Sequence, residues 1–157
     1  VGPDVSSEAA SYRRMVTHLA AARGISDRVI LDDHYRSPAE MAVMIATSAC
    51  VVLPYEDLRK ETSSSLVDAL SAGTPVIATA FDHAVELLTD GAGVIVQPGN
   101  PAELAAAIET VVTRTHLRNQ MAQKAWQVSE QLSWTVIAEQ YRQIIEQSLF
   151  QEPASMS

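Results

Sequence analysis

Residues 51–108 read VVLPYEDLRKETSSSLVDALSAGTPVIATAFDHAVELLTDGAGVIVQPGNPAELAAAI. Two periods alternate in this stretch. Val51-Val52-Leu53, preceded by Cys50 and stopped by Pro54, is a short apolar run without polar alternation. Such a run marks a strand buried on both faces. Val76-Ile77-Ala78-Thr79 and Gly93-Val94-Ile95-Val96 are two more. Between them, residues 64–72 have helical character and end at Gly73, a left-handed stop. Residues 83–89 form a short helix. Asn100-Pro101-Ala102-Glu103 places a cap, a proline in the first turn and a glutamate at the third position, so a helix runs from there to about Thr113.

The same grammar extends outward. Ser37-Pro38-Ala39-Glu40 repeats the cap pattern and opens a helix to about Ser48. Val29-Ile30-Leu31 is a fourth apolar run and is expected to be a strand. Ser6 or Ser7 caps a helix that reaches about Arg23 and stops at Gly24. Its apolar positions are Tyr12, Met15, Val16, Leu19 and Ala20. Downstream, residues 116–130 and 134–149 are two helices, and residues 151–157 carry no pattern, as in a frayed end. Short apolar strands alternating with helices imply a parallel sheet covered on both faces, a Rossmann-like doubly wound α/β layer. Ligands in such folds sit at the carboxyl ends of the strands. The loops at 32–37, 54–63, 80–84 and 97–100 are therefore the ones to watch.

Composition narrows the function classes. The chain has 157 residues, the size of one domain at about 100–200 residues each. Lys and Arg number 11 against 19 Asp and Glu, a net charge of −8. That balance argues against nucleic acid or an anionic membrane surface as partner. A single cysteine, Cys50, excludes an internal disulfide and a structural zinc cluster; in a buried strand it is read as packing. No apolar run approaches the ~18 residues of a membrane span. The first residues lack the layout of a signal peptide, and the chain lacks a starting Met, which suggests a piece of something larger.

Thr62-Ser63-Ser64-Ser65 lies where a strand-end loop enters a helix. The first N–H groups of a helix lack internal partners and its dipole end is positive, so the place suits a phosphate. The alternative for the bare pattern is that these residues only cap the helix. Asp68, a little over one turn in, either accepts bonds from sugar or ribose hydroxyls or is a solvated helix residue. Glu61 has the same ambiguity, within a charged run at 56–61 that is otherwise a solvated loop. His18, His34, His83 and His116 share no ligand spacing and are read as structural or solvated; the exception worth watching is His83, whose loop lines the strand ends. Trp126, Trp134, Tyr141 and Ile144-Ile145 are read as core at helical spacing. No Gly-x-Gly-x-x-Gly follows any strand, which weighs against a dinucleotide oxidoreductase or epimerase.

Taken together, these residues resemble the C-terminal nucleotide-sugar-binding domain of GT-B glycosyltransferases of the large retaining family 4. Leu53-Pro54, the block Asp68-Ala69-Leu70-Ser71-Ala72-Gly73-Thr74-Pro75-Val76-Ile77-Ala78-Thr79, then Glu86, Asp90-Gly91, Gly93 and Val96-Gln97-Pro98-Gly99-Asn100-Pro101 follow that family's pattern. Leu132-Ser133-Trp134, Ile137-Ala138 and Tyr141 resemble its last helix. Phe81-Asp82-His83-Ala84-Val85-Glu86 resembles an actinobacterial-type subgroup, with His83-Ala84 where many members have Gly-Gly.

The resemblance carries expectations. Residues 1–150 are part of the GT-B C-terminal domain and end in two or three helices; residues 151–157 are a disordered tail. The substrate is a nucleotide-diphospho-sugar such as a UDP- or GDP-sugar, used for retaining transfer, with no metal and no other cofactor. Asp68 stands where the family's second Glu meets the ribose hydroxyls. The first Glu would fall at Lys60, one position before Glu61, which inherits the catalytic contact with the donor sugar. Thr62, Ser63, Ser64 and Ser65 face the diphosphate, with Pro54, Tyr55 and His83 lining the site. Asp33, His34 and Tyr35 fall in the loop that meets the nucleobase. A basic pair and an acceptor-binding N-terminal domain are expected upstream of Val1, so this chain by itself is expected to be inactive. The last helix crosses onto that domain and, uncovered, favours self-association. The whole enzyme is expected to be cytoplasmic or peripheral to the inner membrane. The competing class is a non-catalytic α/β regulatory or protein-interaction domain.

Overall fold

A computed structural model describes residues 7–59 and 62–150. The chain forms two compact units, one up to Met41 and one from Ala42 onward. Seven α-helices and three strands lie among the described residues. No helix among them is long and apolar enough to cross a membrane.

In the first unit, α1 (Ser7–Ala22) ends in a Schellman turn. The Ile25 N–H donates to the Ala20 carbonyl and the Gly24 N–H to that of Ala21, both at 3.0 Å. Gly24 makes the turn at φ +65°, a conformation that costs a side chain about 1–2 kcal/mol. Ser7 is already helical, and Ser6 lies outside the described residues. A 3-10 turn follows at Ser26–Arg28.

The strand expected at 29–31 does not form. Ile30 is 90% exposed, and the Arg13 guanidinium donates to the Leu31 and Asp32 carbonyls at 3.2 and 3.5 Å. An apolar run becomes a strand only when a neighbouring strand takes its backbone groups. Here a side chain takes the last carbonyl of the run and the one that follows it. Tyr12, Met15 and Leu19, read as the apolar face of α1, are also exposed.

The boundary between the units falls within α2 (Pro38–Ala46). Its start is the expected capping box: the Ser37 N–H and hydroxyl donate to the Glu40 carboxylate at 2.8 and 2.7 Å, and the Glu40 N–H approaches the Ser37 hydroxyl at 3.3 Å. The Ser37 bonds also hold the Glu40 carboxyl below its ordinary pKa.

The second unit is the α/β layer. Strands β1 (Val51–Leu53), β2 (Val76–Thr79) and β3 (Gly93–Val96) form a parallel sheet in that order. Val51 is level with Val76, and Val76 with Gly93. β2 is central and every residue in it is buried, as expected of a strand with no polar face. α3 (Ser64–Ser71) connects β1 to β2, and α4 (Asp82–Leu88) connects β2 to β3. α5 (Pro101–Thr113), α6 (Thr115–Gln131) and α7 (Trp134–Phe150) follow.

Both sheet faces are covered. Ile77 and Val96 pack with Ala107, Val111 and Met121 of α5 and α6, joined by Val52 and Val94 at the edge of that cluster. On the other face, Gly93 sits beneath Leu88 of α4. A methyl group at position 93 would stand 2.3 Å from the Val76 carbonyl oxygen and 3.0 Å from the Leu88 side chain. Only glycine fits that approach of two strands.

The aromatic and aliphatic residues of α6 and α7 are not core. Trp126, Trp134, Tyr141, Ile144 and Ile145 are all more than half exposed. α6 turns Met121 and Ala125 inward instead. The helical spacing of the apolar residues is real, but spacing says nothing about whether a neighbour covers the face. Cys50 lies just before β1, half-buried against the core, and burial pushes its thiol pKa up.

Candidate functional site

The carboxyl ends of β1 and β2 are held together by side chains. Thr79, the last residue of β2, is buried; its hydroxyl donates to the Tyr55 carbonyl at 2.7 Å and lies 3.5 Å from that of Leu53. A hydroxyl buried in an apolar strand requires such partners. Pro54 is exposed and ends β1. Tyr55 turns inward, its ring centroid 5.0 Å from that of the fully buried Phe81 at a 59° tilt. Further along the loop, the Asp82 N–H donates to the Leu58 carbonyl at 3.1 Å. The loop after β1 is thus anchored on the loop after β2.

This anchoring leads to the start of α3. Ser63 is buried and caps the helix: its hydroxyl accepts the Leu66 N–H at 3.3 Å. The Tyr55 hydroxyl stands 3.4 Å from the same oxygen. The Ser63 N–H donates to Nδ1 of His83 at 3.0 Å. A ring nitrogen that accepts a hydrogen bond carries no proton, so a neutral His83 holds its proton on Nε2. His83 fixes the cap residue of α3 from across the sheet end.

The first N–H groups of a helix have no intrahelical acceptor. Two of them, from Ser63 and Leu66, are taken by His83 and by the cap hydroxyl. Those of the exposed Ser64 and Ser65 have no acceptor within the helix. Ser63 is therefore a cap, while the N–H groups of Ser64 and Ser65 lie at the positive end of the helix. Thr62 and Asp68 are exposed beside them. Glu61, with Lys60, lies outside the described residues. The sequence pattern does not single out Thr79 and Phe81 as site-building residues. The signal the sequence does carry is a hydroxyl at the end of an otherwise apolar strand.

His34 and Tyr35 lie in the first unit and are exposed. The Asp32 carboxylate organises their loop, accepting the His34 N–H at 3.1 Å and the Arg36 Nε–H at 2.7 Å. The His34 N–H, followed by the Arg36 guanidinium and the His34 ring, holds the Asp32 carboxyl down at about 2. Asp32, Asp33 and His34 bring potential ligand atoms within 4.8 Å of one another, a grouping the scattered histidine positions did not suggest.

The family described as Glycosyl transferases group 1 matches residues 8–128. A phosphatidyl-myo-inositol mannosyltransferase of Mycobacterium leprae is 33% identical over 82 residues, 52% of this chain and 22% of that protein. An alpha-D-kanosaminyltransferase of Streptomyces kanamyceticus is 31% identical over 110 residues, 68% of this chain and 27% of that protein. The chain thus spans about a quarter of the length of the curated relatives it matches. Among solved structures, sucrose-phosphate synthase from Thermosynechococcus elongatus superposes with a TM-score of 0.75 at 23% identity, over 94% of this chain and 37% of that one. WaaG, a glycosyltransferase involved in lipopolysaccharide biosynthesis, gives 0.65 at 19% identity, over 74% and 31%. At these identities the structural matches establish the GT-B-type fold alone.

Proposed function

The chain belongs to the group 1 glycosyl transferases, and from that premise we propose that it is the donor-binding part of a retaining hexosyl transferase. The donor is a nucleotide-diphospho-sugar such as a UDP- or GDP-sugar, and the reading assigns no metal to the site. Its diphosphate sits on the N–H groups of Ser64 and Ser65, with the Thr62 hydroxyl as a further donor. Asp68 accepts from the ribose hydroxyls, and Glu61 from those of the donor sugar. Retaining transfer leaves the nucleoside diphosphate as the departing group. The dipole of α3 stabilises the charge that develops on it. The acceptor is held by a part of the enzyme outside this chain.

The observation that carries this reading is the start of α3: a helix N-terminus at the carboxyl edge of a parallel sheet, fixed by Ser63 and His83 with two N–H groups left for a ligand. Titration of the chain with UDP, GDP and ADP by calorimetry tests it. At least one diphosphate binds, and Asp68→Ala weakens it several-fold. No binding by any of the three, or an affinity unchanged in Asp68→Ala, removes the assignment.

A further inference from the structure

A groove of about 570 Å³ lies between the C-terminal end of α3 and one face of α6. It falls within the size range of small-molecule sites, about 300–1,000 Å³. We propose that it is a second, non-catalytic saccharide-binding site, with Trp126 as platform and Gln123, Gln127 and Glu130 as polar rim.

The platform is built rather than incidental. Trp126 is 59% exposed, yet its ring is held in place by the turn that ends α3. A methyl group at Gly73 would stand 2.7 Å from Cδ1 of the indole and 3.2 Å from Nε1. The indole therefore lies directly on the Gly73 backbone, which itself adopts φ +64° in a Schellman turn closed by the Gly73 and Thr74 N–H groups. Close backbone approach and left-handed conformation both demand glycine there.

The rim follows from helix geometry. Gln123, Trp126, Gln127 and Glu130 are spaced i, i+3, i+4 and i+7, so they share one stripe of α6. Each glutamine brings two donors and an acceptor, and the carboxylate accepts only. Among the described residues, none of these three side chains has a hydrogen-bond partner. An exposed aromatic face beside free amide and carboxylate groups matches a pyranose, which has an apolar C–H face and an edge of hydroxyls that both donate and accept. The charge is equally selective. Glu130 lines the groove and no Lys or Arg does among the described residues, so a phosphorylated ligand is repelled and a neutral sugar is not.

The groove is not the donor site. It lies at the far end of α3, an eight-residue helix about 12 Å long. A saccharide held here is a sugar away from the reacting one. The inference stands on Trp126 and its rim, and it does not require a nucleotide at the start of α3.

The test uses the two tryptophans of the chain. Maltotriose and methyl α-D-mannopyranoside are titrated into ¹⁵N-labelled protein, and the indole N–H signals of Trp126 and Trp134 are followed. The Trp126 signal is expected to shift saturably with at least one sugar while that of Trp134 stays. Trp126→Ala abolishes the sugar-induced shift of the Gly73 backbone N–H signal, and Gln127→Ala and Glu130→Ala each weaken binding about three- to tenfold, the loss of one hydrogen bond. Both rim residues are exposed, so these variants decide the matter even if Trp126→Ala fails to fold. Nucleotide binding by Glu130→Ala is unchanged, which separates this site from the proposed donor site. The proposal is overturned if neither sugar moves Trp126 more than Trp134, or if binding is unaltered in both rim variants.

Discussion

The Ser63 N–H and Nδ1 of His83 meet at 3.0 Å, although 20 residues separate them. The contact crosses from the loop after β1 to the first turn of α4, so the cap of one crossover helix is held by the start of the next. Removing the ring leaves a buried N–H without an acceptor. His83→Ala is expected to destabilise the chain by about 1–3 kcal/mol, measured as a fall in the urea midpoint at constant slope. If His83→Ala matches the parent in stability, the bond does not hold the cap.

Thr79 performs the same task one layer deeper. Thr79→Val keeps the shape and removes the hydroxyl that bonds the Tyr55 carbonyl. The expected cost is about 1–2 kcal/mol, with faster proteolysis of the 55–59 loop under native conditions. Stability loss without faster cleavage of that loop would place the effect elsewhere in the core.

Gly73→Ala carries two penalties, a left-handed backbone and a clash with Trp126. Together they are expected to cost about 2–4 kcal/mol, of which the backbone accounts for about 1–2. The double variant Gly73→Ala/Trp126→Ala relieves the clash and keeps the backbone term. The cycle of single and double variants is therefore non-additive; additive values would mean that the ring does not rest on the turn.

The Asp32 carboxyl is expected to titrate at about 2 in carbon-detected NMR. Its folded value lies below the ordinary value near 3.9. Its contribution to stability is therefore complete above that ordinary value and is lost as pH falls through about 2. Arg36→Ala raises the value only part of the way, because the His34 N–H is the larger cause. Full return to the ordinary value in Arg36→Ala would reverse that order.

The layer was legible where local signals suffice. β2 and β3 are continuous apolar runs and lie where the runs lie. The capping box at Ser37 closes as its spacing requires, and Asn100 caps its helix by accepting the Glu103 N–H at 3.1 Å, while the Glu103 carboxylate reaches back to the Gln97 N–H and the Asn100 side-chain amide. Val29-Ile30-Leu31 carries the same local signal and is no strand, because pairing depends on what lies alongside and not on the run itself. Tyr141 and Ile144 show the same limit for helices: the period marks an apolar face, and only a neighbour buries it. In the site, the cap at Ser63 was readable from residue type. Its tie to His83 was not, since no local rule connects residues so far apart in sequence.

The central position of β2 has a kinetic consequence. Val76 is level with Val51 on one side and with Gly93 on the other, and each pairing requires a whole crossover helix to be threaded first. Neither ladder can be nucleated by a tight hairpin, so both closures are entropically expensive steps on the route to the native state. Until they occur, three consecutive apolar residues of β2, Val76 to Ala78, are open to pairing with another chain, and the molecule is at its most aggregation-prone. Tyr55, Thr79 and His83 therefore meet only after the slowest ordering events, and the start of α3 acquires its fixed geometry late in folding.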